Sequence, residues 1–385
     1  MSGRDDPIVW IAGVGWDDTP GTDRRLVTAI AERHRVLWVD PPRRDAWGAW
    51  IGAGAYPAGP VAPNVERLRV PAPPGFTRWP VTAVTAMVHA LTLDGARRRG
   101  TSPRAVVLSH PLTRFPRRGT APRVLYLTDD WVAGAGLMGL DAGAVRRTLA
   151  ANARRADVVA AVTAPLIDDA RALGAAGPAE VIPNGAPQLA PRRAARQPVA
   201  GVVGQLNERL DLALLEGVVA AGVSLRLIGP RADRDAAFGR RLDALIGHER
   251  VEWTGPLAAE ALRAQLAVLA VGLTPYTDSP FNRASFPLKT LEYLAAGVPV
   301  VSSDLAASRW IDSPDVTVAA TPDAFVRSVR DAVGRAPLED AVAEAGRVAL
   351  AHRHRWEARA DDFLRLIASA GRTSPAARQP ASDTR

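Results

Sequence analysis

The segment IVWIAGVGWDDTPGTDRRLVTAIAERHRVLWV occupies residues 8–39 and decides the beginning of the fold. Its apolar run Ile8–Ala12 predicts a strand, Thr22–His34 predicts a helix, and Val36–Val39 predicts a second strand. A loop that contains several glycines joins the first strand to the helix. This spacing is typical of a parallel βαβ unit, so the chain begins as an α/β domain with a parallel sheet.

The same alternation continues along the chain and then starts again. Further strands are predicted at Ala105–Ser109, Arg123–Leu127, Val158–Val162, Val199–Val203, Leu225–Ile228, Val251–Trp253, Val268–Leu273 and Val298–Val301. A stretch rich in Pro, Arg and Ala lies between the third and fourth of these strands and is typical of an interdomain linker. We therefore predict two doubly wound domains of similar size.

The domain boundaries follow from these patterns. The N-terminal domain is expected to cover residues 1–187, the linker residues 188–198, and the C-terminal domain residues 199–350. A last helix is expected within residues 351–370, as a candidate for crossing back to the N-terminal domain. The Ser-, Pro-, Ala- and Arg-rich residues 371–385 are predicted to form a disordered tail.

Composition excludes several kinds of site. The 385 residues contain no cysteine, which excludes a disulfide scaffold, a thiolate nucleophile and a cysteine-ligated metal. The six histidines are scattered, so no built-in metal site is expected. Lys289 is the only lysine among 48 basic residues. It marks a place where the planar guanidinium of arginine cannot replace a compact ammonium, or it is one chance survivor.

The formal net charge of +8 favours an anionic partner such as a nucleotide or a lipid headgroup surface. No helix-turn-helix, finger or aromatic-interleaved basic face supports a nucleic acid. A cytoplasmic protein is expected, because the N-terminus lacks a signal-peptide pattern and no apolar window is long enough to span a membrane. The segment Trp79–Leu93 predicts a helix packed on its own domain, or alternatively peripheral contact at the inner membrane face.

The run PLKTLEYLAAGVPVV, residues 287–301, predicts a helix over Pro287–Ala296, because proline can open a helix and the following glycine can close it. Lys289 and Glu292 are three residues apart and share one face of that helix. The N–H groups of Phe286–Leu288 and the lysine suit a diphosphate, and the carboxylate suits ribose or sugar hydroxyls. The alternative is an exposed ion pair that binds no ligand.

Other candidates lie where predicted strands end, because open parallel sheets bind ligands outside the carboxyl ends of their strands. His110 follows one strand and can hydrogen-bond a sugar hydroxyl or relay a proton, or it is a structural histidine. Asp129 and Asp130 end another strand, and Asp17 and Asp18 lie in the first loop. Each acidic pair is expected to hold acceptor hydroxyls or, alternatively, to cap a helix.

Five segments together resemble one family. They are WDDTPGTDRR at residues 16–25, RRADVVAAVTAPLIDDAR with VIPNGAP at 154–187, GVVGQLNERLDLALLEGV with LRLIGP at 201–230, PLKTLEYLAAGVPVV at 287–301 and RHRWEARADDFLRLI at 353–367. They resemble GT-B glycosyltransferases, particularly the retaining enzymes of glycosyltransferase family 4 and the related teichuronic-acid-type transferases. The resemblance extends over most of the chain, and residues 287–301 carry its most specific part.

The resemblance implies two Rossmann-like domains that face each other across a cleft. It implies a hexosyl- or related transferase that uses a nucleotide-diphosphate sugar, retains the anomeric configuration, and needs no metal or cofactor. The expected context is cell-surface polysaccharide, glycolipid or secondary-metabolite glycosylation, with a lipid-linked or small-molecule acceptor. The family's ribose-binding glutamate matches Glu292, and the resemblance also carries a sugar-contacting histidine onto His110.

The chain departs from the family at two places. The first family glutamate, which approaches the transferred sugar, falls at Ala284. After the glycine that matches Gly204, the family arginine and lysine are replaced by Gln205 and, one place short, by Arg209. The expected catalytic set is therefore His110, Lys289 and Arg209.

The expected donor-binding set is Gly15, Gly204, Asn282, Ser285, Phe286, Pro287, Leu288, Lys289 and Glu292. Two alternatives to a transferase stay open. A catalytically silent GT-B protein that binds a nucleotide sugar or a partner is suggested by Ala284. A dinucleotide-dependent oxidoreductase is suggested by Gly13-Val14-Gly15 and by Asp40, although Asp18 stands where the third glycine of that fingerprint belongs.

Overall fold

The computed structural model describes residues 6–18, 20–43, 58–72, 103–116, 119–189, 195–338 and 341–373. The segment Trp79–Leu93, residues 190–194 of the predicted linker and residues 374–385 of the predicted tail lie outside the described residues. The elements fall into two compact units, residues 1–183 with 356–385 and residues 184–355.

The elements before the second sheet are β1 (Ile8–Ile11), α1 (Thr22–Ala31), β2 (Val36–Val39), β3 (Ala58–Ala62), β4 (Val65–Leu68), β5 (Ala105–Leu108), β6 (Arg123–Leu127), α2 (Ala135–Met138), α3 (Ala142–Ala153), β7 (Val158–Ala161), α4 (Ala164–Ala172) and β8 (Ala179–Val181). The next are β9 (Gln197–Val203), α5 (Leu212–Ala220), β10 (Ser224–Ile228), α6 (Ala236–Ile246), β11 (Val251–Trp253), α7 (Ala259–Val268), β12 (Leu269–Thr274), α8 (Pro280–Ala284) and α9 (Leu288–Ala295). The last are β13 (Val300–Ser303), α10 (Ala306–Trp310), β14 (Val316–Ala319), α11 (Pro322–Arg335), a 3-10 turn (Ala336–Leu338), α12 (Ala341–Arg353) and α13 (Trp356–Thr373).

The first unit has an eight-stranded sheet in the order β3-β4-β2-β1-β5-β6-β7-β8. All neighbours are parallel except the edge pair β3 and β4, which is antiparallel. The last helix, α13, groups with this unit and packs on α1 and β7. Its Phe363 lies 5.3 Å from the Trp10 ring and 5.2 Å from the Tyr126 ring, so buried aromatic contacts hold it there.

The second unit has a six-stranded, all-parallel sheet in the order β11-β10-β9-β12-β13-β14. Every residue of β12 is buried, as expected for a central strand covered on both faces. Aspartate side chains cap α5 and α6, and Thr321 caps α11, which supplies acceptors for N–H groups that have no partner inside those helices.

Several predicted boundaries need correction. Strand β9 begins at Gln197, inside the predicted linker, and residues 184–187 group with the second unit rather than the first. Helix α12 runs to Arg353, past the predicted end of the C-terminal domain, and α13 extends through residues 371–373 of the predicted tail. Backbone hydrogen bonding of the strand and the helices continues beyond the apolar residues that marked these segments in the sequence.

Candidate functional site

The switch point of the second sheet lies between β9 and β12. Strand β10 lies on one side of β9, whereas β12 lies on the other side and continues the sheet toward β13. Loops leave the carboxyl ends of these two strands in opposite directions, which in open parallel sheets creates the ligand crevice. The residues that follow β9 and β12 are therefore expected to line the ligand crevice.

The loops that follow β9 and β10 are in contact at this edge of the sheet, and each begins with a glycine. Gly204, after β9, has φ +139°, and Gly229, after β10, has φ +141°, a conformation that L side chains rarely adopt. A Cβ at Gly229 would lie 2.0 Å from the Gly204 carbonyl oxygen, so the two loops are in backbone contact. A Cβ at Gly204 would lie 3.6 Å from Cε of Lys289, which puts this loop directly beside the single lysine.

Lys289 and Glu292 form an ion pair at the start of α9. Nζ of Lys289 lies 2.7 Å from Oε2 of Glu292, and the two side chains are 25% and 7% exposed. The carboxylate is buried, so the pair is not the exposed one of the alternative, and ligand binding by the pair stays a prediction. An ammonium has three N–H donors, and Glu292 uses one of them. The site thus presents a cation, held by a buried anion, beside the Gly204 loop.

The expected N–H groups at Phe286–Leu288 need correction. Proline has no N–H, so Pro287 contributes none. The Leu288 N–H donates to the Phe286 carbonyl oxygen at 2.9 Å. Lys289 is the second helical residue, and its N–H has no partner inside the helix. The phenyl ring of Phe286 is buried against Trp310, with 5.4 Å between ring centroids, so it anchors the helix start.

Arg209 reaches the same edge from the loop after β9. Its guanidinium lies 4.8 Å from the centroid of Phe281 and 5.2 Å from that of Tyr276. Its Nε donates to Oδ1 of Asn282 at 3.0 Å. Stacking and a directed hydrogen bond hold a guanidinium in one orientation, which a flexible ammonium would not keep.

Asn282 and Ser285 both make hydrogen bonds inside the loop after β12, and donor binding by either side chain stays a prediction. The Asn282 side chain is buried, and its amide nitrogen lies 3.0 to 3.1 Å from the carbonyl oxygens of Thr277 and Arg209. Ser285 is buried, and its hydroxyl donates to the Phe281 carbonyl oxygen at 2.9 Å. Both side chains stabilise the loop after β12, Asn282 also fixes Arg209, and the buried Ala284 lies between them in sequence.

The switch point of the first sheet lies between β1 and β5. Asp23, in the first turn of α1, bridges the two loops there, accepting the Gly13 N–H at 3.2 Å and the Ser109 hydroxyl at 2.8 Å. Burial raises the pKa of Asp23 to about 7, and the charge of Asp129 adds to the shift. Sequence reasoning missed Asp23, because an acidic residue in a first helical turn is ordinary in surface helices.

His110 lies in the loop after β5 and is partly buried. Its Nδ1 accepts the backbone N–H groups of Leu112 and Thr113 at 3.1 and 3.0 Å. In the neutral imidazole the proton therefore sits on Nε2, and that nitrogen is a donor. The loop that follows β5 thus orients the imidazole ring so that its Nε2 is a hydrogen-bond donor.

The acidic pairs are engaged with the protein. Asp17 pairs with Arg67 at 2.7 Å, and this hydrogen bond lowers the pKa of Asp17. Asp18 pairs with Arg43 at 3.2 Å. Asp130 accepts the N–H groups of Val132 and Ala133 in a turn, and α2 has Gly134 at its N-cap, so Asp130 does not cap that helix as the alternative proposed. These contacts do not test a role in acceptor binding, which stays a prediction.

The geometry argues against the oxidoreductase alternative. Asp40 is 1% exposed, and its carboxylate binds the Trp16 N–H, the indole of Trp38 and the guanidinium of Arg67. It is therefore not presented to a ribose. The Gly15 N–H donates to Asp18 at 2.8 Å, and Gly15 belongs to the first unit whereas Lys289 belongs to the second.

Asp23→Asn is expected to flatten the pH dependence of stability. The folded-state pKa of about 7 exceeds the ordinary value of 3.8, so the folded chain holds a proton that the unfolded chain has released. The unfolding free energy therefore falls as pH rises from about 4 to about 7, by on the order of 4 kcal/mol. Urea unfolding at pH 5 and pH 8, followed by tryptophan fluorescence, measures the part of this fall that lies above pH 5, about 3 kcal/mol. Asp130→Asn is the control, and a wild-type slope in Asp23→Asn would contradict the assignment.

Residues 197–335 match the family model described as Glycosyl transferases group 1. The chain is 31% identical over 121 residues to a Bacillus subtilis (strain 168) protein whose name proposes a teichuronic acid biosynthesis glycosyltransferase. That alignment covers 31% of this chain and 30% of the relative, so it spans less than a third of either protein.

Solved structures match over nearly the whole chain. Sucrose-phosphate synthase from Thermosynechococcus elongatus has a TM-score of 0.69 at 18% identity, covering 94% of this chain and 98% of that one. The Anabaena protein HepE in complex with UDP has a TM-score of 0.60 at 15% identity, covering 94% and 100%. Likenesses at this identity establish the fold, which is GT-B with two Rossmann-like units. Residues 197–335 of the second unit match the group 1 glycosyltransferase model, and the resemblance to GT-B glycosyltransferases seen in the sequence is confirmed.

Two further features concern only the part of the chain that is described. No helix there is long and apolar enough to cross a membrane. Within the same ranges, no group of three or more His, Asp or Glu side chains is arranged to hold a metal ion.

Proposed function

We propose that the protein is a glycosyltransferase that moves a sugar from a nucleoside-diphosphate donor to an acceptor hydroxyl. The single observation that carries the proposal is the Lys289 to Glu292 pair beside the Gly204 loop, in the unit that matches a group 1 glycosyltransferase domain. An ammonium suits the diphosphate, and a buried carboxylate suits the two ribose hydroxyls. The UDP bound to HepE, a structural relative, supports a nucleoside diphosphate.

The chemistry that follows is electrostatic. The bond between the anomeric carbon and the diphosphate oxygen breaks, and negative charge grows on the departing nucleotide. Lys289 and the oriented guanidinium of Arg209 stabilise that charge, as fixed cations do most effectively where charge develops in the transition state. The acceptor oxygen then bonds to the anomeric carbon, and its proton passes to the leaving phosphate. Retention of configuration is the outcome we propose, on the family resemblance.

We assign acceptor and sugar recognition to the first unit. His110 offers an Nε2 donor to a sugar hydroxyl, and Asp17, Asp18, Asp129 and Asp130 are the proposed acceptor-side carboxylates. We further propose a hexosyl or related sugar and a role in cell-surface polysaccharide synthesis, which the name of the Bacillus relative supports. Glycolipid and secondary-metabolite glycosylation are the alternatives.

A second candidate function is a catalytically silent protein that binds a nucleotide sugar. Ala284 favours it, because the family has a glutamate near the transferred sugar where this chain has a buried methyl group. Such a protein would keep the Lys289 site and bind donor without turnover.

Release of nucleoside diphosphate from UDP-glucose, GDP-mannose, TDP-glucose and ADP-glucose separates these functions. We expect one donor to be consumed above the protein-free rate even with water as acceptor, and the rate to fall in Lys289→Ala. Donor binding without release would support the silent protein. If no nucleotide sugar is bound or consumed and the protein binds NAD or NADP instead, both candidate functions would be contradicted.

A further inference from the structure

The hydrogen-bonded pairing of strands β9 and β12 stops before the strands end, and the hydroxyl of a tyrosine bonds to the backbone groups at and beyond the last pair. Their last paired residues are Gly201 and Gly272, although the strands continue to Val203 and Thr274. The hydroxyl of Tyr293 accepts the Val203 N–H at 2.8 Å. It lies 3.1 Å from the Gly201 carbonyl oxygen and 3.3 Å from that of Leu273, so it donates its proton to this pair of acceptors.

The ring of Tyr293 lies against Gly272, in a space that we call its seat. Tyr293 is fully buried, and a Cβ built on Gly272 would lie 2.3 to 2.5 Å from three carbons of its ring. Any side chain at Gly272 would expel the ring, because contacts that short do not occur between non-bonded carbons. Tyr293 thus holds helix α9 against the strands by shape and by hydrogen bonds. Burial raises the pKa of Tyr293 well above its usual value, so the hydroxyl keeps its proton.

Both ends of this contact adjoin the candidate donor site. Tyr293 follows Glu292 in α9, and Val203 precedes Gly204. The hydroxyl therefore joins the helix that carries Lys289 and Glu292 to the strand end that carries the Gly204 loop. A small movement of the helix along the strands would change the distance between the ammonium and that loop.

We propose that Tyr293 is a positioning residue for the donor diphosphate: its hydroxyl sets the register of α9 against the end of β9 and so places Lys289 and Glu292 beside Gly204. This proposal rests on the proposed function, since it concerns the same site. It assigns no contact between Tyr293 and the ligand. The tyrosine acts through the residues on either side of the contact.

Tyr293→Phe tests the proposal. The variant keeps the ring in its seat and removes only the hydroxyl, which leaves the Val203 N–H without its partner. We expect the Kd for the bound nucleoside diphosphate, measured by calorimetric titration with UDP, GDP, TDP and ADP at 20 °C, to rise about tenfold, on the scale of one buried hydrogen bond. Circular dichroism at the same temperature reports whether the variant is folded.

Tyr126→Phe is the matched control. Tyr126 is a fully buried tyrosine in the first unit, and its hydroxyl has no hydrogen-bond partner among the described residues. Loss of that hydroxyl should leave the Kd unchanged. A wild-type Kd in Tyr293→Phe would overturn the positioning role.

A second pair of variants separates positioning from stability. Tyr293→Ala opens a cavity at the seat, and adding Gly272→Ala to it places a methyl group in the space that the ring has left. We expect the double variant to recover part of the Tm lost by Tyr293→Ala while its Kd stays at least tenfold weaker than wild type. Recovery of Kd together with Tm would show that the tyrosine only fills space, and would overturn the proposal.

The wild-type titration keeps the two proposals apart. If wild type binds none of the four nucleoside diphosphates, the proposed function fails, and the role of Tyr293 fails with it. If wild type binds one of them and Tyr293→Phe binds it equally well, only the positioning role fails.

Discussion

Lys289→Ala is expected to weaken nucleoside-diphosphate binding by about 10- to 100-fold, on the scale of one charge-assisted contact. The variant removes the ammonium beside the Gly204 loop and takes from Glu292 the cation that lies 2.7 Å from its carboxylate. Calorimetric titration with UDP, GDP, TDP and ADP measures the change. Lys289→Arg should recover only part of the affinity, because a planar guanidinium does not fit the place of a compact ammonium.

Arg263→Ala is the matched control for Lys289→Ala. Arg263 pairs with Glu260 at the same spacing of three residues in the same unit, but both side chains are substantially exposed. Removing an exposed pair of this kind changes little. Equal binding by Lys289→Ala and Arg263→Ala would remove Lys289 from the site.

Arg209→Ala is expected to lower turnover about 100-fold or more, since removing one fixed donor from a developing negative charge costs on the order of 10² to 10³ in kcat. Donor consumption at saturating donor measures it. Arg209→Lys keeps the charge but loses the stacking between Tyr276 and Phe281 and the Nε bond to Asn282. We expect it to recover little of the rate.

Arg241→Ala serves as the control for Arg209→Ala, because Arg241 is an exposed arginine of the same unit with a carboxylate partner, Glu216. Full activity in Arg209→Lys would show that the orientation of the guanidinium does not matter. Full activity in Arg209→Ala would exclude the residue from the chemistry.

The central strands could be predicted because burial on both faces leaves an unbroken apolar run in the sequence. Strand β2 has the predicted ends, and β6 and β11 do as well. The edge pair β3 and β4 was missed, since β3 contains Gly and Pro and β4 has two adjacent charged residues among its four. Strand β13 begins two residues later than predicted, after Pro299, which has no N–H to donate to a ladder.

Local features of the site could be predicted, and long-range ones could not. The Lys289 to Glu292 pair follows from helical spacing alone. The contact of Arg209 with Asn282 joins residues 73 positions apart, and that of Tyr293 with Val203 joins residues 90 apart. No local sequence pattern indicates either contact, because the two residues of each pair come together only when the strands of the second sheet assemble in their order.

The most direct test of the central claim is a thermal-shift titration of wild type and Lys289→Ala with UDP, GDP, TDP, ADP, CMP, NAD and NADP. A ligand that binds only the folded chain raises its apparent stability, by about 2.7 kcal/mol at one hundred times its Kd. We predict that one nucleoside diphosphate raises the Tm of wild type clearly more than that of Lys289→Ala, because the same ligand concentration is then only about 1 to 10 times the weakened Kd. A shift with NAD or NADP alone, or an equal shift in both proteins, would contradict the account.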